Sequence, residues 1–161
     1  MSNFKLEKQN IKDWSDIQVT FHTGDSTITK YRQILVISYA GEYGVGCEGN
    51  GDAQYMYAMG KFGIELYEPA GIIVDFRELE YVWGDMLEMV FGLGCLNYHP
   101  HNVPNAMIVG DKCQEAIGTL IHGLDSKESP TTEDWVFDTL EEAWEFVEEG
   151  VELESAKYRK G

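Results

Sequence analysis

The feature that most restricts this chain is a set of nearly unbroken apolar runs spaced by helix-length segments. Tyr31–Tyr39 (YRQILVISY), Gly71–Phe76 (GIIVDF) and Ala106–Val109 (AMIV) are rich in β-branched and aromatic residues. A strand with one wet face alternates apolar and polar side chains, so unbroken runs read as strands covered on both faces. Ile17–Phe21 reads as a shorter strand before the turn chemistry of Thr23, Gly24 and Asp25, and it pairs antiparallel with the run at 31–39. Helical segments are expected from Asp52, as N-cap, to Tyr67, then over Trp83–Gly92 and Cys113–Leu124, with Pro69 stopping the first. Trp135–Phe137 reads as a short edge strand. Thr139 then caps a last helix, and Glu142 completes its capping box. The order β-β-α-β-α-β-α-β-α predicts an α/β fold: a mixed four- to five-stranded sheet with helices packed on it and parallel crossovers in its later part. Residues 1–161 are expected to form a single domain, with 1–16 as an arm and 155–161 as a tail.

Charge narrows the function classes. Twelve Lys and Arg face 28 Asp and Glu, a net charge of −16. Nucleic-acid affinity needs a cationic surface, and anionic lipid repels an acidic one, so both partner classes are disfavoured. No apolar run approaches the ~20 residues of a membrane span. Residues 1–10 are polar and lack the apolar stretch of a secretory signal. Cys47, Cys95 and Cys113 are odd in number and widely spaced, which suits reduced thiols in a cytoplasm.

Several constellations invite a chemical reading. Gly41, Gly44, Gly46, Gly49 and Gly51 fall between a strand and a helix, and Gly44–Gly49 fits GxGxxG literally. Glu42, Glu48 and Asp52 oppose an anion there, and no Lys-Ser/Thr follows, so a plain connector is expected rather than a phosphate cradle. Glu78, Glu80, Asp85 and Glu88 flank Tyr81 and Trp83 at the carboxyl end of a buried strand, where α/β sheets bind ligands; a partner-facing acidic rim is expected, ahead of acid–base catalysis. Asp75 sits inside an apolar strand and needs donors, with Arg77 close by in sequence. Cys95, His99 and His101 share a Pro-containing loop, but the tight pairs of a zinc site are missing. No motif calls for a cofactor. In the last helix Leu140, Ala143, Trp144, Val147 and Val151 share the sheet-facing side. Glu142, Phe146, Glu149 and Leu153 form a second stripe, on which Phe146 and Leu153 are expected to stand exposed among carboxylates as interface anchors.

Two resemblances extend this reading. The stretch AGIIVDFRELEYVWGDMLEMV, the later strand AMIVG and the ending VFDTLEEAWEFVEE resemble a STAS domain, the small α/β module of anti-sigma-factor antagonists, over residues 17–150. That resemblance implies a regulatory protein-interaction domain. The family's phosphorylated Ser opens the helix after the Asp-ended strand; here the position falls in Val82-Trp83-Gly84-Asp85, with no Ser or Thr. In size and acidity the chain also resembles bacterial immunity proteins. That likeness implies a binder that neutralises a basic toxin domain by steering and occlusion, without catalysis. A basic protein partner, bound through Glu78, Glu80, Asp85, Glu88, Glu142, Phe146, Glu149 and Leu153, is the leading expectation; the STAS-like module is the alternative, and a small hydrolase or ligand-binding enzyme the second.

Overall fold

The computed structural model describes residues 3–94 and 103–161. Five strands form one sheet in the order β1-β2-β3-β4-β5. β1 (Gln18–Asp25) runs antiparallel to β2 (Gln33–Glu42). β3 (Gly71–Glu80), β4 (Asn105–Ile108) and β5 (Val136–Phe137) continue the sheet parallel to β2. The helices are α1 (Asn50–Tyr67), α2 (Glu88–Phe91), α3 (Gln114–His122) and α4 (Leu140–Arg159).

Sequential parallel strands joined by crossovers of one hand place every crossover helix on the same face. Alternate strand residues follow that division. Leu35, Ile37 and Tyr39 of β2, with Ile72, Val74 and Phe76 of β3, pack against Ala53, Met56 and Ile64 of α1, Val90 of α2 and Ile117 of α3. The intervening Ile34, Val36, Ile73, Ala106 and Ile108 pack against Ala143, Val147 and Val151 of α4. Both faces are covered, which is why these strands carry no polar alternation.

A bulge near the end of β3 reverses the alternation. Ser38 pairs with Asp75, but Ala40 pairs with Glu78, so β3 carries one extra residue. Phe76, Leu79 and Tyr81 therefore all join the α1 side of the core. Glu78 and Glu80 fall on the alternate positions, away from it. Asp75 fixes the bulge. Its carboxylate accepts Arg77 N–H at 3.1 Å, Arg77 Nε at 2.9 Å, Arg77 Nη2 at 2.7 Å and the Ser38 hydroxyl at 3.4 Å.

Four expectations need correction. α4 runs on to Arg159, so residues 155–159, expected as part of a tail, are helical. α1 starts at Asn50 with Gly49 as N-cap, so Asp52 lies inside the helix and caps nothing. The segment expected as one helix over 83–92 is instead a 3-10 turn (Asp85–Leu87), the four-residue α2 and a second 3-10 turn (Gly92–Gly94). Gly84, Gly92 and Gly94 each weaken a continuous helix by about 1 kcal/mol. Phe146 is half-buried rather than exposed, because β5 brings the Phe137 ring to 5.3 Å from it. The rest of the last helix follows its sequence pattern. Thr139 accepts the Glu142 N–H, and its hydroxyl donates to the Glu142 carboxylate at 2.8 Å.

Candidate protein-binding surface

The carboxyl ends of β2 and β3 lie side by side and each runs into a loop. Residues 43–49 leave β2 and residues 81–87 leave β3. The two loops are bonded to each other rather than free. Tyr43 N–H donates to Glu80 O, and Gly46 N–H to Trp83 O, both at 2.9 Å. The Tyr81 hydroxyl donates to Gly84 O at 2.9 Å. Tyr43 and Tyr81 meet edge to face at 5.3 Å. Burial pushes the Tyr81 phenol up to about 12, with the Asp85 charge adding to it, and burial pushes Tyr43 higher still.

Glycines permit this contact. Gly46 adopts φ 62, and a Cβ there would lie 2.7 Å from the Trp83 ring. Asp52 completes the assembly from α1. One oxygen accepts Gly44 N–H at 2.8 Å and the other accepts the Ser15 hydroxyl. Three amides of the literal GxGxxG stretch are thus taken: Gly44 by a carboxylate, Gly46 by Trp83 O and Glu48 by Val45 O. A carboxylate already stands where a phosphate would need those donors, so the loop is a braced connector.

The outer surface of these loops is apolar and acidic together. Val45, Val82, Trp83 and Met86 are 55%, 70%, 52% and 37% exposed. Glu48, Asp85 and Glu88 stand exposed on the same loops and at the start of α2. Apolar anchors ringed by charge are the composition of a binding hot spot. The four side chains are displayed because the glycines hold the backbone of each loop tight against the other, leaving the larger residues no interior to enter.

The expected acidic rim is divided by the fold. Asp85 and Glu88 belong to this surface. Glu80 lies at the strand end and is bonded to Lys112 at 2.6 Å. Glu78, beyond the bulge, adds to the charge around Arg77 and Lys112. On α4, Glu142 serves the N-cap, Phe146 packs on Phe137, and Glu149 and Leu153 stay exposed. Sequence reasoning missed Val45, Val82 and Met86. Their signal was the placing of large apolar residues beside glycines in connections too short to bury them.

Other candidates resolve differently. Cys113 is buried, with Sγ 3.3 Å from Phe76 O, and burial raises its thiol to about 11, while Cys47 is exposed. Among the described residues no group of three or more His, Cys, Asp and Glu side chains could hold a metal ion. Cys95, His99 and His101 lie outside the described residues. A cavity of about 460 Å³ opens between α2 and α3, lined by Glu88, Phe91, Leu120 and Trp135 among others, and among the described residues no nucleophile–base pair converges on it. Among the described residues no helix is long and apolar enough to cross a membrane.

No protein-family profile matches the sequence, and no curated protein matches it either. Its fold does match a solved structure. The crystal structure of an anti-sigma factor antagonist from Mycobacterium paratuberculosis superposes with a TM-score of 0.54 at 15% identity, covering 82% of this chain and 94% of that one. The chain is therefore a single α/β domain of STAS-like fold.

Proposed function

We propose that this chain is a regulatory protein-interaction module whose partner seats on the loops that follow β2 and β3. The carrying observation is the display of Val45, Val82, Trp83 and Met86 beside Asp85 and Glu88 on a loop pair cross-braced by main-chain hydrogen bonds. A braced surface loses little conformational entropy on binding, so its apolar area converts efficiently into affinity. The shared fold with an anti-sigma factor antagonist supports a protein partner and a non-enzymatic role. Fold alone does not fix function, and the loop surface carries the argument.

The module works without phosphorylation. In STAS domains the phosphorylated Ser opens the helix after the Asp-ended strand, and the corresponding stretch here is Val82-Trp83-Gly84-Asp85. Asp85 supplies a permanent negative charge where a hydroxyl would be switched. The partner's contact region is expected to be cationic with apolar side chains, and its association to slow as salt is added. Neutralisation of a toxin would use the same chemistry, but the comparisons lend that reading no support.

The test is capture from the source cells with the intact chain and with Trp83→Ala/Met86→Ala. Both substituted side chains are partly exposed, so the variant should keep its circular dichroism and melting curve. Loss of one or more captured proteins in the variant supports the surface. An unchanged set of captured proteins rejects it.

A further inference from the structure

We propose that the N-terminal arm of one copy docks on the loop surface of a second copy, giving a two-fold dimer by reciprocal arm exchange. The proposal rests on the reading of that surface as a protein-binding site.

Residues 3–14 are all exposed, and Phe4, Leu6 and Ile11 are 78%, 85% and 61% exposed. The arm bonds within itself: Lys5 to Glu7, Asn10 to Asp13, and Lys12 N–H to Asn10. It is apolar and cationic at once. Residues 3–14 hold Lys5, Lys8 and Lys12 against Glu7 and Asp13, on a chain whose net charge is −16. The loop surface is its chemical complement, with Val45, Val82, Trp83 and Met86 among Glu48, Asp85 and Glu88. Beneath it the Tyr43 hydroxyl is buried without a hydrogen-bond partner among the described residues. Gly84 covers that oxygen with no side chain; a Cβ there would lie 3.7 Å from it.

The arm's root and the loop surface share one residue. Trp14 Nε1 donates to Gly51 O at 3.0 Å, and Ser15 donates to Asp52, which also accepts Gly44 N–H. Reciprocal exchange calls for a two-fold axis passing near Asp52, with each root opposite the other copy's loops. Ten extended residues reach about 33 Å, enough to cross the surface. The same contact is made twice, as an isologous interface requires.

The experiment is sedimentation equilibrium of the full chain over a range of concentrations, at low and at high salt. A dimer is expected, and the lysine substitutions are expected to raise its Kd about tenfold or more at either salt, because they remove the cationic side of the contact while the general repulsion between two acidic chains is screened alike in both. Lys5→Glu/Lys8→Glu/Lys12→Glu and Trp83→Ala/Met86→Ala are each expected to be monomeric alone. Mixed together they should form a heterodimer, since one keeps the loop surface and the other keeps the arm. A monomeric full chain, a dimer indifferent to the lysine substitutions, or no association on mixing would each overturn the inference. Monomeric chains whose Trp fluorescence responds to the lysine substitutions would mean that the arm folds onto its own loops, and would overturn it too. Partner capture separates the two claims: if the lysine variant still captures a Trp83-dependent partner, the binding surface stands even when exchange has failed.

Discussion

Asp75 is where single side chains matter most to this fold. Its carboxylate is buried, and it closes the bulge that turns Glu78 and Glu80 outward. Arg77 is half-exposed and can rehydrate if its partner is lost, whereas Asp75 cannot. Arg77→Ala should therefore destabilise by about 2–3 kcal/mol, and Asp75→Asn by about 1 kcal/mol, measured by urea unfolding. Cys113 gives a pH signature. Burial raises its thiol from 9.0 in the open chain to about 11, so the folded state holds a proton that the unfolded state releases. That contribution is whole below pH 9 and is lost as pH rises toward 11. Cys113→Ala should flatten the fall of stability between those values, read as urea midpoints at a series of pH values. Residue identity in the sequence announced the Asp75–Arg77 pair, because a carboxylate in an apolar strand demands a donor. It did not announce Asp52, whose partners Gly44 and Ser15 come from a loop and from the arm root.

At the scale of elements, glycines separate into those that fill a contact and those that do not. In α1, a Cβ on Gly60 would lie 2.5 Å from Leu93, and one on Gly63 would lie 2.4 Å from Phe21. Helix propensity favours Ala at both sites by about 1 kcal/mol, but overpacking costs about 1–3 kcal/mol. Gly63→Ala is expected to lower the melting temperature. Among the described residues Gly92→Ala meets nothing within 4 Å at φ −84, and the substitution should raise it. Gly123→Ala has equal room but requires φ 98, so it should lower stability despite the open space. The strands and α4 were legible because their patterns are long and their caps local. The stretch at 83–92 was not, because its apolar spacing suits a helix while Gly84, Gly92 and Gly94 break one. Phe146 was misjudged for a related reason: helical spacing gives a residue's angle on its own helix, not whether β5 reaches it.

For the whole molecule, the surplus of acids sets a repulsion that the core must outweigh. Added sodium chloride screens it, so the melting temperature should rise between 0.05 and 0.5 M salt, in a variant lacking the arm lysines as well. Fold class was readable from sequence because buried runs alternated with helical segments over the entire chain. The binding surface was only half readable. Asp85 and Glu88 stood in one stretch, but Glu48 and the apolar members come from two loops that meet through the pairing of β2 with β3.

One face of the sheet is sealed by a single element. α1, α2 and α3 share the other face, while Ile34, Val36, Ile73, Ala106 and Ile108 have α4 as their cover. α4 follows every strand it shields, so during synthesis the β2–β4 layer must emerge with that side still bare. A ribosome that stalls before Leu140 would release a nascent product with one finished side and one sticky one. Quality control should treat such a fragment as a chaperone client, while the finished polypeptide passes unattended.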